Sequence, residues 1–408
     1  MSVRERGRRA LERLVEASAT ERALISFASL VLAIAVGTVI ILVAGRMTTC
    51  REAAFWLTNP QPFVVPELFR MGFCYNPVTV FDRLFLGALG DPLTPGWDPL
   101  NGQFAVTLRE TTVLVFTGLS VALAFRAGIF NIGTQGQLVV GALATALGVL
   151  WVAPFVSGVV GTVLLVPFGL LLGAIFGGLY GAIPGALKAY ADANEVITTI
   201  MLNFIAAGVV YFLIDAYLKP PGAAAPNTAA FPDYVDLPGV AFGSPSFSVI
   251  GLAIALLTVL VVYVLMARTS FGYDLVTSGH QEPAAKYSGV DPKRMIVRTM
   301  TISGMVAGLA GAMFAIMILG YYSDPNSFPT FGFDAIAVSL LGANNPLAVV
   351  PAGILFGGLD AGGQYIGFTL DVPSELVDGV IGLIVLFVAV PELFRMAGRY
   401  TGLGGEHQ

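Results

Sequence analysis

Charge is the feature that this 408-residue sequence has least of. Only 12% of its residues are Asp, Glu, Lys or Arg, against about 25% in typical soluble domains. None of those residues, and no histidine, occurs between Ala127 and Leu187, a run of 61 positions. A soluble domain is excluded, because only a bilayer accommodates such a run, as helices of about 20 apolar residues that satisfy their backbone polar groups internally. The sequence therefore predicts an all-α polytopic membrane protein.

Reactive and metal-ligating residues are also scarce. His280 and His407 have no Cys or His partner at ligand spacing, so no metal site is expected. No Gly-Lys dipeptide occurs, which excludes a Walker A loop, and we expect neither an enzyme nor a bound cofactor. Cys50 and Cys74 share the first long loop, where an oxidising exterior permits a disulfide and two separate thiols are the alternative. The net charge of −5 gives no indication of nucleic-acid binding.

Ten apolar segments are predicted as helices of one bundle. The eighth is too short to cross a bilayer, and we expect it to be a broken or re-entrant helix, buried in protein or lining a cavity. The segments cover about 24–45, 108–127, 133–151, 158–182, 194–217, 248–267, 295–319, 331–343, 346–366 and 375–394.

Lysine and arginine indicate how the bundle is oriented, because cytoplasmic loops are enriched in both. Six arginines lie in the first 22 residues, and placing this end in the cytoplasm puts 15 of the 21 basic residues inside. Both termini are then cytoplasmic, and the loops at 46–107 and 219–247 are external. The expected location is the cell (plasma) membrane, as a multi-pass protein.

The two halves of the apolar region resemble each other at an offset of 180 residues. The stretch 173–181, GAIFGGLYG, matches 353–361, GILFGGLDA, and without a gap Glu195 then falls on Glu375. The predicted topology gives the paired spans opposite directions. The pattern therefore predicts an inverted 5+5 repeat, which many transporters use to build a central site. Chance similarity between two glycine-rich helices is the alternative.

Four amide side chains mark the first candidate site. Asn131, Gln135 and Gln137 lie in FRAGIFNIGTQGQLVVGA at 125–142, which has glycines at 128, 133 and 136, and Asn203 lies in the fifth segment. Glycine allows a helix to break at membrane depth, where its amides line a cavity, and neutral amides suit hydroxylated or amide-bearing solutes. We predict that the four residues line a substrate pathway. The alternative is that they join helices by hydrogen bonds.

The second candidate site is the longest polar stretch on the predicted inner side, Ala267–Met300, which we name the coupling segment. Pro283 and Pro292 bracket a short helix at about 284–289. A short helix lying across the membrane face fits a cleft in a partner protein. The alternative is an ordinary loop.

These motifs resemble the permease subunits of ABC importers, in the binding-protein-dependent, ribose-type branch that carries simple sugars and nucleosides. The resemblance covers about residues 105–395. It implies a permease domain at 108–395, and the predicted topology adds a cytoplasmic segment at 1–23, a first span with an external loop at 24–107 and a cytoplasmic tail at 396–408. It rests on five stretches in order: FRAGIFNIGTQGQ, NEVITTIMLNFIA, AAKYSGVDPKRM, SGMVAGLAGA and FDAIAVSLLGANNPLAVVPAGILFGGL.

The resemblance also implies which residues meet the ATPase subunit. In the family, a Glu-Ala-Ala-x-x-x-Gly core in the cytoplasmic loop docks on that subunit. Pro283 stands where its Glu is expected, and Glu282 comes one residue early. The family's downstream Ile-x-Leu-Pro is missing here. The expected coupling residues are Glu282, Ala284, Ala285, Tyr287 and Gly289.

The resemblance implies three protein partners. They are an ABC ATP-binding subunit that hydrolyses ATP, a second permease subunit that is often a different chain, and an external substrate-binding lipoprotein. The solute is a nucleoside or a simple sugar, with a nucleoside favoured. The alternative function is a proton-coupled secondary transporter in which Asp360, the deepest carboxylate, carries the proton.

Overall fold

A computed structural model describes residues 19–50, 53–56, 72–239, 242, 244 and 246–400. Side chains of the first helix are described from residue 28 onward, and those of the last helix up to residue 387. The described chain is helical except for its connections and one antiparallel pair of two-residue strands, β1 (Phe55–Trp56) and β2 (Gly72–Phe73). The predicted all-α class is confirmed.

Thirteen α-helices occur in the described ranges. They are α1 (Ala19–Met47), α2 (Pro77–Phe85), α3 (Gly102–Arg126), α4 (Thr134–Val152), α5 (Gly158–Ala191), α6 (Glu195–Leu213), α7 (Val249–Arg268), α8 (Ser270–His280), α9 (Glu282–Tyr287), α10 (Pro292–Met313), α11 (Phe331–Leu341), α12 (Pro346–Thr369) and α13 (Ser374–Tyr400). The π-helical turns Ile214–Leu218 and Phe314–Leu319 extend α6 and α10.

Eight helices in the described part of the chain are long and apolar enough to cross a membrane. They are α1, α3, α4, α5, α6, α7, α10 and α12. The eighth predicted segment is α11, whose 11 residues are too few to span a bilayer. The tenth predicted segment falls in α13, whose side chains beyond residue 387 lie outside the described residues. A total of ten spans therefore stays a prediction.

Asparagine side chains set the start of two of the spans. The Asn101 side-chain oxygen accepts a hydrogen bond from the Phe104 N–H at 2.8 Å, and that of Asn194 accepts one from the Ile197 N–H at 3.1 Å. The first N–H groups of a helix have no partner within the helix, so such a cap stabilises its first turn. The cap at Asn194 separates α5 from α6, where the sequence predicted a new segment.

The described residues divide into two compact units, one formed by those before residue 100 and after residue 357 and the other by those from 100 to 357. In the first unit, α1, α2 and α13 pack around buried aliphatic side chains such as Ile41, Leu84 and Val380. These helices bury apolar area on their shared faces, which stabilises the unit.

The first unit also contains a disulfide between Cys50 and Cys74. Cys50 lies just beyond α1, Cys74 directly follows β2, and their Cα atoms are 5.7 Å apart. The bond resolves the alternative between a bridge and two free thiols in favour of the bridge. Closing a loop of this length removes conformational entropy from the unfolded chain, an effect of about 3 kcal/mol.

In the second unit, α4, α5 and α10 form the most closely packed group of helices. Four glycines bring α5 and α10 together, Gly173 and Gly177 on one helix and Gly304 and Gly308 on the other. A Cβ atom on Gly308 would collide with the backbone oxygen of Gly173, and one on Gly304 with that of Gly177. We name these four residues the glycine seam. Small residues let backbones approach in this way in membrane helices.

The helix boundaries recur at the predicted offset. α5 ends at Ala191 and α6 begins at Glu195, whereas α12 ends at Thr369 and α13 begins at Ser374. Adding 180 to 191 and 195 gives 371 and 375, within two residues of the second pair. The inverted relation between the two halves and the cytoplasmic termini stay predictions.

Candidate functional site

The amide-rich segment contains the break in helical structure that its glycines predict. Residues 127–133 connect α3 to α4 without forming a helix. Gly128 has φ +67°, a conformation that residues with a side chain rarely adopt. The connection therefore turns at Gly128, and Asn131 beyond it bonds to residues of α4 and α10.

Asn131 and Gln137 form a reciprocal amide pair in the interior of the second unit. The Asn131 Nδ2 donates to Gln137 Oε1 at 3.0 Å, and the Gln137 Nε2 donates to Asn131 Oδ1 at 3.1 Å. Asn131 also donates to the Ser303 Oγ at 2.8 Å, and Ser303 donates to the Ser120 backbone oxygen. Asn131 is fully buried and Gln137 nearly so. The pair therefore joins α4 to α10 and, through Ser303, to α3.

Asn203 attaches α6 to the same connection. Its Nδ2 donates to the Ile132 backbone oxygen at 2.9 Å, and its Oδ1 accepts from the Gly136 N–H at 2.8 Å. The amide thus satisfies one backbone group before α4 and one in its first turn. The two backbone groups that Asn203 binds belong to Ile132 and Gly136, which lie between Asn131 and Gln137 in the sequence.

Gln135 points away from this cluster. Its Nε2 donates to the Pro329 backbone oxygen at 3.0 Å, and its Oε1 accepts from the Gly332 N–H at 2.7 Å. Its side chain is only half-buried. Gln135 therefore connects the first turn of α4 to the start of α11, the helix that is too short to cross the membrane.

The structure thus brings together three of the four predicted pathway residues and places Gln135 apart from them. Contact of any of the four with a solute stays a prediction. Sequence reasoning missed Ser120 and Ser303, whose hydroxyl groups complete the cluster. Each serine is one of several polar residues in its span, and a sequence separation of 183 positions conceals their pairing.

The coupling segment contains two consecutive helices, α8 and α9, followed by the first turns of α10. The predicted short helix corresponds to α9, which begins two residues earlier than expected. The helix α8 was not predicted, although Thr269 provides its N-cap by accepting from the Gly272 N–H. Its sequence, SFGYDLVTSGH, is too polar to give the apolar signal that marks the spans.

The five expected coupling residues occupy different environments on α9. Ala285 is fully buried, whereas Ala284 is exposed and Tyr287 is 98% exposed. Glu282 pairs with Lys286 at 2.7 Å, and this hydrogen bond and the charge of Lys286 lower the pKa of Glu282. Gly289 ends the helix region with φ +85°. α9 therefore holds to the bundle through one face and presents an aromatic ring on the other.

An ion pair joins the spans next to the coupling segment. The Lys188 Nζ in the last turn of α5 lies 2.5 Å from the Glu195 carboxylate in the first turn of α6. A carboxylate at this position also interacts favourably with the helix dipole. Glu195 therefore connects α5 to α6.

Comparison with known proteins shows the family of the chain. Residues 104–389, well over half of the sequence, match the family described as "Branched-chain amino acid transport system / permease component". The chain belongs to this permease family. It is a multi-pass protein of the plasma membrane. No solved structure matches it.

Curated relatives of the permease share most of its length. It is 33% identical, over 72% of its own chain and 83% of the relative, to the guanosine ABC transporter permease protein NupP of Bacillus subtilis (strain 168). It is 29% identical, over 80% and 88%, to the nucleoside ABC transporter permease protein NupB of Lactococcus lactis subsp. cremoris (strain MG1363). It is 32% identical, over 73% and 79%, to the glucose ABC transporter permease protein TsgB13 of Haloferax volcanii.

These matches confirm the resemblance to ABC-importer permeases that the sequence motifs indicated. The same Lactococcus strain also has a more distant match, the nucleoside ABC transporter permease protein NupC, at 25% identity. No observation on the permease supports the proton-coupled alternative. Asp360 lies half-buried in α12 and has an interaction partner.

Proposed function

We propose that the permease is the membrane-spanning subunit of an ATP-driven importer and that it translocates a nucleoside or a simple sugar. The observation that carries this proposal is the family match over residues 104–389, combined with relatives that are named for guanosine, nucleoside and glucose transport. Two of these three names specify nucleosides, and we therefore favour a nucleoside as the solute.

We further propose that ATP is hydrolysed by a separate subunit that docks on α9. The chain has no Walker A loop. Tyr287 extends from a short helix whose opposite face is anchored by the buried Ala285. A large exposed aromatic side chain on an anchored element is typical of a binding hot spot.

The names of two relatives support a second permease as a further partner. One bacterial strain has both NupB and NupC, each named as a nucleoside ABC transporter permease. We propose that this chain likewise pairs with a second, different permease, and that an external lipoprotein delivers the solute. The pathway is proposed to pass the amide residues Asn131, Gln135, Gln137 and Asn203.

The finer topology belongs to the same proposal. We propose ten membrane-inserted helices, α1, α3–α7 and α10–α13, arranged as an inverted repeat with both termini in the cytoplasm. The recurrence of helix boundaries at an offset of 180 residues supports the repeat. The coupling segment then lies on the cytoplasmic side, where ATP is available.

The test of this function is solute uptake by vesicles that contain the chain with its partner subunits. We expect uptake of labelled guanosine to require ATP and to continue when a protonophore collapses the proton gradient. Labelled glucose serves as the second solute and separates the two candidate classes. Uptake that proceeds without ATP and stops with the protonophore would overturn the importer assignment in favour of the proton-coupled alternative.

A further inference from the structure

A cavity of about 620 Å³ lies in the first unit, where two of the apolar spans end. α1 ends at Met47 and α12 ends at Thr369, and the residues that follow directly, Thr48 and Leu370, both line the cavity. The end of a span marks the level of the membrane surface. Under the predicted topology this is the outer surface, and the cavity therefore lies at the level of the outer lipid headgroups.

Three side chains of the wall offer accessible polar groups to an occupant. Thr49 and Asp371 are exposed residues, and Thr79 is half-buried. None of the three side chains has a hydrogen-bond or ion-pair partner among the described residues. The hydroxyl groups of Thr48 and Thr369, in the same wall, instead donate to backbone oxygens one turn earlier, at 3.0 and 2.6 Å. One carboxylate and two hydroxyl groups thus remain available.

The wall favours a cation at one place and an anion at another. Asp371 is the one charged side chain among the described wall residues, and its carboxylate attracts a cation. Asn76 and Thr79 lie at the N-cap and in the first turn of α2, which begins at Pro77. The N–H groups at the start of a helix attract anions such as phosphate. A zwitterionic occupant therefore matches this distribution of charge.

A row of apolar side chains on α1 leads to the cavity. Val39, Val43 and Met47 follow one another at intervals of four residues, and all three are exposed. Side chains at this spacing lie on one face of a helix. The row extends for about 12 Å, which is most of the depth of one leaflet in a hydrocarbon core about 30 Å thick. We name these three residues the apolar row, which is suited to contact an acyl chain.

We propose that the cavity binds a phospholipid whose headgroup carries an ammonium group, as that of phosphatidylethanolamine does. The ammonium donates hydrogen bonds to Asp371, the phosphate accepts them from Thr49 and Thr79, and one acyl chain lies along the apolar row. The volume is within the range of about 300–1,000 Å³ that is usual for ligand pockets. A polar cavity at the end of an apolar row thus matches both parts of an amphipathic molecule.

The disulfide preorganises this lipid site. Cys50 and Cys74 both line the cavity, and their bond joins the segment after α1 to the segment before α2. A wall that is already fixed loses less conformational entropy when an occupant binds. The site belongs to the first unit, whereas the amide residues of the proposed pathway belong to the second. Lipid binding here does not depend on which solute the permease transports.

The test uses the full-length permease, stripped of lipid in detergent, with phosphatidylethanolamine and phosphatidylglycerol of identical acyl chains as the probes. Native mass spectrometry of a lipid titration measures the Kd of the first bound lipid. Phosphatidylglycerol has no ammonium group, so we expect phosphatidylethanolamine to bind about tenfold more tightly. A photoactivatable group on its acyl chain should crosslink to residues 39–47.

Variants separate the two parts of the headgroup. Asp371→Asn keeps the shape of the side chain and removes its charge, so it should abolish the preference for phosphatidylethanolamine without weakening the binding of phosphatidylglycerol. The double variant Thr49→Val with Thr79→Val should weaken the binding of both lipids, because both have a phosphate group. The matched control is Asp82→Asn, which removes an exposed carboxylate of the same unit outside the cavity wall and should retain the preference.

Three results would overturn the proposal. They are equal binding of the two lipids by the unmodified chain, a preference that survives in Asp371→Asn, and crosslinks that spread over the spans without enrichment at residues 39–47. The last result would indicate ordinary annular lipid. If the lipids bind equally and Asp371→Asn instead weakens capture of the external lipoprotein, the cavity is a docking site for that protein.

Discussion

Gln135 differs from the other three amides in what its hydrogen bonds hold together. Asn131, Gln137 and Asn203 fix the 127–133 connection and the start of α4 to α6 and α10, and all three are buried. Gln135 instead links α4 to residues 329–332 through a half-buried side chain. Its loss leaves the buried cluster intact, so it allows transport to be tested without a collapse of the fold.

We expect Gln135→Ala to reduce the initial rate of solute uptake about tenfold, because two hydrogen bonds to the start of α11 are lost together. The measurement is uptake by vesicles, with co-purification of the partner subunits as the assay of assembly. Asn326→Ala, which removes an exposed amide that donates to Asp324 two residues earlier, is the control. Normal uptake by Gln135→Ala would show that this amide has a structural role alone.

Glu282 provides a prediction about pH. Its pKa is lowered from the ordinary value of 4.5 by the hydrogen bond from Lys286, by the charge of Lys286 and, to a smaller extent, by Lys293. A carboxylate with a lowered pKa in the folded state stabilises that state above the ordinary pKa, and the contribution is lost as the pH falls through the lowered pKa. The pair is therefore intact at neutral pH.

We expect Lys286→Met to raise the pKa of Glu282 towards 4.5, because it removes both the hydrogen bond and the nearer charge. The pKa is measured from the carboxyl carbon by NMR titration. Lys293→Met is the matched control and should raise the pKa less, since it removes only a distant charge. Equal shifts in the two variants would contradict the contact between Glu282 and Lys286.

The helix α9 has two faces with different roles, one holding to the bundle and one available for docking. Its buried face is a single small residue, Ala285, and its most exposed side chain is Tyr287. The Val290 N–H donates to the Ala285 carbonyl oxygen and closes the helix. Such an element presents a ring in a fixed direction at little cost in conformational entropy, which favours tight docking.

We expect Tyr287→Ala to weaken binding of the ATPase subunit tenfold or more, because exposed aromatic anchors carry a large share of interface energy. Co-purification of the ATPase and the rate of ATP-driven uptake should fall together. Tyr217→Ala removes a tyrosine outside the coupling segment that is 73% exposed, and it should have no effect on either. An unchanged yield of ATPase with Tyr287→Ala would exclude α9 as the docking element.

Backbone packing leads to a prediction about the glycine seam. We expect Gly308→Ala to destabilise the protein by about 1–3 kcal/mol or to prevent folding, because its Cβ atom would collide with the Gly173 backbone. Gly208→Ala, in α6, meets no atom within 4 Å and should instead stabilise its helix by up to about 1 kcal/mol. Thermal unfolding in detergent measures both. Equal stability of the two variants would contradict the close approach of α5 and α10.

The orientation of the molecule is open to a labelling experiment because both native cysteines are bonded to each other. We expect Ser288→Cys, in the coupling segment, to react with an impermeant maleimide only from the cytoplasmic side. Ala224→Cys, in the loop 219–247, should react only from outside. Both positions are exposed. Labelling of residue 288 on intact cells would reverse the predicted topology and remove the proposed site of ATPase docking.

The sequence predicted those parts of the fold that depend on local composition. Apolar runs predicted most helix ends to within about five residues, whereas α3 begins six residues before its predicted start, α13 ends six residues after its predicted end and α5 continues nine residues beyond its predicted end at 182. The shortness of α11 was also evident, because length is a local property. The pairing of Cys50 with Cys74 could be stated only as one of two alternatives, since spacing does not fix the distance between two side chains.

Contacts between residues that are far apart in the sequence could not be predicted from it. The hydrogen bonds that Ser303 makes to Ser120 and to Asn131 join residues separated by 183 and 172 positions. A hydroxyl side chain within an apolar helix can instead donate to a backbone oxygen of its own helix, as that of Thr301 does. The unpartnered hydroxyl of Thr299 is likewise a property of its surroundings, because an identical residue two positions away is satisfied. Helix α8 was missed because it is polar and short.

The glycine seam limits how this protein moves. Where main chain touches main chain, no rotamer change absorbs a displacement. Sliding α5 along α10 by one residue would bring a larger side chain, such as that of Phe176 or Met305, into a space that accommodates only a hydrogen atom. The two helices therefore move as one rigid pair. The rearrangements that carry a solute across the membrane are expected in the other helices, which move relative to this pair.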